Sequence, residues 1–267
     1  MSTAVSIDAT GSASAAALGE RRLVHVRARW WLELLTIAWL AWIYDAVTNL
    51  APLRLHTALA HARGILHLER TLHIDPELSL DRWMSEHHTL GLIVSDYYDN
   101  AHFIVTFGLL GLLWWRRADV YRPLRNSLVL VNLIGFIVFW RFPVAPPRML
   151  DGFTDVVSST HAFGSWHTGA LASQANELAA MPSLHISWAL WSSLVMWRMS
   201  KRTIVRAAAV LYPFVTAFAV LSTGNHFVLD MLGGVAALAT STAIVTLAGR
   251  LRARRSRDAH ERVAQPA

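Results

Sequence analysis

Six apolar stretches of roughly bilayer-spanning length constrain this chain more than any other feature. They fall at 30–50, 97–115, 124–142, 182–199, 204–222 and 227–248. Each is close to the ~20 residues a helix needs to cross a ~30 Å hydrocarbon layer. A soluble amphipathic helix carries an apolar stripe on one face, whereas these stretches are apolar on most faces. The composition agrees. Hydrophobic residues make up 54% and charged residues 16%, against about 45–50% and about 25% in ordinary soluble domains. The expectation is an all-α integral membrane protein with six transmembrane helices. The first stretch is the least regular, because it contains Glu33 and Asp45.

The formal net charge is +6 and the pI is about 10.4, which would suit a nucleic-acid binder. The positions of the charges argue otherwise. Arg21, Arg22, Arg27 and Arg29 precede the first stretch, and Arg116, Arg117, Arg122 and Arg125 lie between the second and third. Arg198, Lys201, Arg202 and Arg206 lie between the fourth and fifth, and six more arginines follow Ala248. These linkers share one side of a six-span topology, so the positive-inside rule puts both termini in the cytoplasm. Trp30, Trp31, Trp114, Trp115 and Trp197 sit at the same boundary, as interfacial aromatic belts do. The basic surplus then reports orientation and contact with anionic lipid, with no nucleic-acid partner. The chain contains no Cys, which excludes disulfides, thiolate metal sites and a Cys nucleophile.

Three regions follow from this reading: a disordered cytoplasmic tail at 1–20, a six-span membrane domain at 21–249, and a basic cytoplasmic tail at 250–267. Two long segments face outward. Residues 51–96 interleave Leu55, Leu59, Leu66 and Leu72 with polar residues, as outward-facing amphipathic helices broken at Asp75-Pro76 would. Residues 143–181 hold Pro143, Pro146 and Pro147 and many small polar residues, a loop long enough to be functional.

The residues able to do chemistry gather at the outer ends of the last four stretches. His226 and Asp230 are four apart and share a helix face. A carboxylate that accepts an imidazole Nδ1–H leaves Nε2 bare and more basic; the plainer alternative is a self-satisfied polar pair. Pro182 and Ser183 suit a helix start, with Pro at the first helical position, where free N–H groups attract anions. His185 lies within the first turn, or is simply an interfacial histidine. Arg141 and Arg148 have the geometry to fork onto phosphate oxygens, although Arg148 alone would also suit a lipid headgroup. Asn225, Tyr97, His102 and His167 could shape a headgroup pocket, but each alone is more simply an interfacial residue. Two arginines, two histidines and an aspartate at one membrane face are harder to dismiss, because ionisable groups at membrane depth are costly. Two other classes stay open: a haem or metal protein using some of the 13 histidines, and a catalytically silent lipid-binding relative.

The spacings Arg141-x6-Arg148, Pro182-Ser183-Leu184-His185 and His226-x3-Asp230 resemble the three motifs of the type-2 phosphatidic acid phosphatase superfamily. In that superfamily they read Lys-x6-Arg-Pro, Pro-Ser-Gly-His and Ser-Arg-x5-His-x3-Asp. Arg141, Met149 and Leu184 depart from the pattern, and Val220 stands where the third motif has its Arg. Ala145-Pro146-Pro147, Met181-Pro182-Ser183-Leu184-His185 and Thr223-Gly224-Asn225-His226 look closer to the inositol phosphorylceramide synthase branch. Arg116 to Arg122-Pro123 imitates the first motif, but it is one residue short and lies on the cytoplasmic side. The resemblance implies a metal-independent membrane phosphotransferase or phosphatase without a cofactor. Its donor would be a lipid phosphate or phospholipid headgroup, and its acceptor a lipid hydroxyl or water. His226 would be the nucleophile, Asp230 its orienting partner and His185 the acid and then base. Arg141, Arg148 and Ser183 would bind phosphate.

Overall fold

A computed structural model describes residues 28–49, 54–160 and 178–264. The tail expected at 1–20, and His167, lie outside the described residues. Helices account for the architecture: α1 (Trp30–Asn49), α2 (Leu55–Leu72), α3 (Glu77–Glu86), α4 (His88–Arg116), α5 (Ala118–Arg141), α6 (Val156–Thr160), α7 (Leu184–Met199), α8 (Thr203–Ser222) and α9 (Val228–Ala264). No strand occurs among the described residues. One isolated parallel bridge joins Val144 to Ala179.

Among the described residues, three helices are long and apolar enough to cross a membrane: α5, α8 and α9. The other three expected spans are helices as well, and two of them have a reason for falling short. The first half of α4 carries Asp96, Asp99, Asn100 and His102, so only its second half is uniformly apolar. With 16 residues at ~1.5 Å each, α7 covers about 24 Å of a ~30 Å hydrocarbon layer. In α1 the misplaced Glu33 is matched by Arg125 of α5, with Nε 3.4 Å from the carboxylate. The polar stretch after Arg250, expected as a separate tail, instead continues α9 to Ala264. Its Ala and Arg residues favour helix, and neither Gly nor Pro interrupts it.

Two of the four buried clusters among the described residues frame the helices that carry the candidate residues. Leu110 and Leu113 of α4, Leu124, Leu128 and Val131 of α5, Trp191 and Val195 of α7, and Ala237 and Leu238 of α9 form one core. A second core lies beneath α2: Ala58, Ala62, Ile65 and Leu66 meet Val144, Ala145, Leu150, Leu178, Ala180 and Phe227. The opposite faces are apolar too. Ile104, Ile137, Ile204, Leu211, Phe214 and Leu247 are all exposed, a surface that suits lipid better than water.

The segment at 54–86 does form two helices, broken where the sequence indicates. His73 adopts the left-handed conformation at φ 57°. Its N–H donates to the Arg70 carbonyl at 3.2 Å, and the Ile74 N–H donates to that of Glu69 at 3.0 Å, the Schellman closure of a helix C-terminus. Pro76 then introduces α3. The apolar face of α2 therefore covers the loop after α5 and the start of α9, where the candidate residues lie.

Candidate active site

The third motif sits in the turn from α8 into α9. Gly224, at φ 65°, reverses the chain in a conformation that glycine adopts without a steric penalty. Its carbonyl accepts the Arg148 N–H at 2.8 Å, which ties the turn to the loop after α5. His226 follows, with its side chain 5% exposed. Phe227 caps α9, and Asp230 Oδ2 reaches back to the Phe227 N–H at 2.9 Å, one half of a capping box.

His226 Nδ1 lies 2.9 Å from the Ala180 carbonyl oxygen and 3.5 Å from Asp230 Oδ2. A carbonyl only accepts, so the hydrogen-bond network assigns the proton to Nδ1. Nε2 is left with its lone pair. Asp230 was expected to accept this proton, and the nearer acceptor is the main chain of Ala180. The fully buried Asp230 flanks the same nitrogen and also organises the turn. Its carbonyl accepts the Ser183 N–H at 2.9 Å, which joins α9 to the start of α7.

Ala180 is fixed by the bridge to the first motif. Val144 N–H donates to Leu178 O at 3.1 Å, and Ala180 N–H donates to Val144 O at 3.1 Å. The loop that carries Arg148 thus sets the carbonyl that sets the tautomer of His226.

The second motif presents His185 from the first turn of α7. Its Nδ1 lies 3.3 Å from His226 Nε2. The His185 ring stacks on Tyr98 at 4.5 Å between centroids and meets His102 edge-on at 4.4 Å. His102 Nδ1 is 3.0 Å from the Tyr98 carbonyl, which fixes its ring against the same turn of α4. Ser183 is the N-cap, and its Oγ accepts the Ile186 N–H at 3.4 Å. Pro182 therefore precedes the cap, which corrects the expectation that it occupies the first helical position. The close approach of α7 to α9 depends on Gly234, where a Cβ would strike the Ser183 carbonyl.

Arg148 is held beside this centre with its side chain 7% exposed. Its Nη1 donates to Asn225 Oδ1, and its Nε lies 3.4 Å from Asp155 Oδ2. Asn225 in turn donates to the Thr223 hydroxyl and carbonyl, at 2.8 and 3.2 Å. Its amide is committed to the protein, so it acts here as a tether for Arg148. Arg141 ends α5, is exposed, and makes no hydrogen bond or ion pair among the described residues.

Tyr97 points away from the histidines and bonds Thr216 of α8 at 2.9 Å. The ring against His185 belongs to its neighbour Tyr98. Sequence reasoning also missed the Ala180 carbonyl and three carboxylates of α2 and α3. Glu69 Oε1 accepts the Leu229 N–H at 2.6 Å and Glu77 Oε1 the Val228 N–H at 2.9 Å. Asp81 accepts the Thr154 N–H with both oxygens, at 2.8 and 3.1 Å. All three are fully buried. Burial pushes the carboxyl of Glu69 up to about 8, against the opposing pull of the Leu229 N–H. Burial likewise pushes Asp81 up to about 6.

The arrangement can present a bare imidazole nitrogen, a second imidazole in contact with it, and a buried guanidinium alongside. Such a set suits attack on a phosphoryl group. No curated protein and no solved structure matches the chain. The sequence pattern of the PAP2 superfamily matches residues 63–244, about two thirds of the 267 residues, and spans all three motifs. The chain belongs to the PAP2 superfamily, whose members are in general phosphatases and phosphotransferases of phosphate-containing substrates.

Proposed function

We propose that this protein is a membrane-embedded lipid phosphotransferase or lipid phosphate phosphatase that works through a phosphohistidine on His226. The observation that carries this reading is the tautomer. The Ala180 carbonyl holds the proton on Nδ1, and Nε2, the only ring nitrogen with a lone pair to donate, faces His185.

In the first step His226 Nε2 attacks phosphorus, and the bond to the leaving oxygen breaks as His185 gives that oxygen a proton. In the second step His185, now a base, removes a proton from the acceptor hydroxyl or water, whose oxygen displaces Nε2 from phosphorus. This alternation from acid to base is the usual demand of a two-step displacement. Arg148 faces the charge on the equatorial oxygens, where preorganised cations lower the barrier most. Arg141 lies on the loop's open side and suits the substrate's approach. Ser183 keeps its turn N–H groups near the anion, and His102 and Tyr98 brace His185. The guanidinium groups supply the positive charge that a metal would otherwise bring, so the reaction needs no metal.

An in-line attack requires the nucleophile and the leaving oxygen on opposite sides of phosphorus. With reacting atoms about 3 Å apart and a hydrogen bond beyond them, the two ring nitrogens must separate to about 7 Å. Substrate binding therefore has to wedge His185 and His226 apart from their 3.3 Å contact.

Three helices of spanning character support a bilayer location. We further infer six spans, cytoplasmic termini and a site on the outer face, from the arginine-rich linkers. The Ala145-Pro146-Pro147 and Thr223-Gly224-Asn225-His226 segments favour headgroup transfer of the inositol phosphorylceramide synthase kind over simple hydrolysis. The test is a panel of lipid phosphate donors given to purified wild type and His226→Ala, with and without a lipid alcohol. A phosphorylated acceptor lipid identifies a transferase and free phosphate a phosphatase. Undiminished turnover by His226→Ala rules out the mechanism.

A further inference from the structure

The N–H groups of Phe227, Val228 and Leu229, which follow His226 directly, all end on carboxylates. Asp230 takes the first, Glu77 the second and Glu69 the third. Glu69 comes from the last turn of α2 and Glu77 opens α3, so the α2–α3 elbow grips the nucleophile helix by its backbone. Both glutamates are fully buried. Each uses Oε1 for this grip, while Glu69 Oε2 and Glu77 Oε2 receive no donor among the described residues. Their Oε1 atoms sit on the N–H groups of adjacent residues, Leu229 at 2.6 Å and Val228 at 2.9 Å, so the two side chains converge on one spot.

Two ionised carboxylates in such contact repel strongly where water is excluded. Among the described residues no cation relieves them. Arg70, on the same turn as Glu69, leans toward Asp75 at 3.8 Å. The other groups facing the pair, Asp75 from the elbow and Asp230 from α9, are themselves acidic. Asp81, a turn further along α3, is committed to Thr154, and His226 to Ala180. A single proton between Glu69 and Glu77 would supply the donor that both orphan oxygens lack.

We propose that Glu69 and Glu77 form a carboxyl–carboxylate pair holding one proton, and that this pair is a positioning device which keeps His226 in register with His185 only while the proton is present. Loss of the proton forces the two side chains apart. The α2–α3 elbow then releases the first turn of α9, and the histidine at its start moves with it. The burial that raises both carboxyls places this release above the ordinary carboxylate range. The proposal rests on the reading of His226 as nucleophile, but the pair itself can be observed without any substrate.

The test uses the full-length protein in detergent and the variants Glu77→Gln, Glu69→Gln and Glu77→Ala. The Glu77→Gln side chain keeps an oxygen for the Val228 N–H and brings an N–H for Glu69, so it needs no proton. Wild-type Tm is expected to keep falling as pH rises to about 8, because the folded state holds a proton that the unfolded chain has already released. Turnover should fall with it near the upper end of that window. In Glu77→Gln both should fall less steeply between pH 6 and 9 than in wild type, because the amide N–H favours ionised Glu69, and in Glu77→Ala both should be lowered at every pH. At neutral pH the infrared spectrum should show a protonated-carboxyl band that Glu69→Gln and Glu77→Gln each remove. Parallel Tm profiles in wild type and Glu77→Gln, or the same carboxyl band in wild type and both Gln variants, would overturn the pair. If the Tm and infrared results hold but no variant of His226 affects turnover, the pair stands and the nucleophile assignment fails instead.

Discussion

His185 Nδ1 lies 3.3 Å from His226 Nε2, so the two imidazoles that the mechanism uses in sequence are in direct contact. Since the bare lone pair is on His226, the proton between them belongs to His185. The group that donates to the leaving oxygen thus already points an N–H at the nucleophile.

The clearest consequence concerns the covalent intermediate. With a donor whose leaving group needs no protonation, His185→Ala should still form phosphoenzyme but release it slowly. Loss of acid–base help is worth about 10²–10⁴-fold. Quenching with ³²P-labelled donor should show an acid-labile, alkali-stable adduct in His185→Ala and none in His226→Ala. A phosphoenzyme in His226→Ala would reassign the nucleophile.

Arg148 is aimed by Asn225, so Asn225→Ala should cost activity although the amide touches no reacting atom. A hydrogen bond to a charged group is worth about 1.5–3 kcal/mol, which corresponds to a loss of roughly 10- to 150-fold in kcat/KM. Arg148→Lys should not restore a fork-shaped contact and is expected to be at least as impaired. Equal kcat/KM in wild type and Asn225→Ala would remove the tether from the argument.

Gly234→Ala tests the junction of α7 and α9. The added methyl meets the Ser183 carbonyl, and overpacking of this kind costs about 1–3 kcal/mol. Tm in detergent should drop by several degrees. Gly108→Ala, where a Cβ meets nothing within 4 Å, serves as the control and should be neutral or slightly stabilising. An unchanged Tm in Gly234→Ala would show that the two helices can part freely.

Asp81 supplies a pH dependence of its own. Its folded-state pKa is raised from 3.8 to about 6, chiefly by burial and further by the neighbouring Asp155. The folded state therefore binds the proton more tightly than the unfolded chain does. Stability from this group is full below pH ~4 and is lost as pH rises to about 6. Asp81→Asn keeps an acceptor for the Thr154 N–H and cannot ionise. Its Tm should be flatter than wild type between pH 4 and 6, and no lower at pH 7. A steeper profile would contradict the burial argument.

Topology can be read directly, because the chain contains no Cys and any single cysteine reports alone. Ser85→Cys on α3 should react with a membrane-impermeant maleimide in intact cells. Lys201→Cys, between α7 and α8, should react only after lysis. The reverse pattern would invert the orientation drawn from the arginine-rich linkers.

Much of this site was legible in the sequence for a specific physical reason. His185, His226 and Asp230 stand at helix starts, where spacing and caps dictate direction, and they meet as their motifs imply. Tyr97 and Tyr98 were not separable in this way, because which ring faces His185 depends on the rotation of α4 against α7 and α8. The Ala180 carbonyl left no trace, since a main-chain acceptor has no residue type. Glu69 and Glu77 read as the polar face of an amphipathic segment, yet they turn inward to a helix end about 150 residues away. Hydropathy located all six helices but overstated α4 and α7, whose polar and short stretches are the ones that carry site residues.

The bridge between Val144 and Ala179 has a consequence for how the protein tolerates change. Every amino acid offers the same carbonyl, so substitution at position 180 leaves the acceptor for His226 chemically intact. The protonation of the nucleophile is thereby insulated from point mutation at its nearest contact. It is exposed instead to insertions or deletions in either of the two segments that the bridge aligns. Variation in this part of the chain should therefore spare the nucleophile's proton wherever the buried side-chain volume and the segment length are kept.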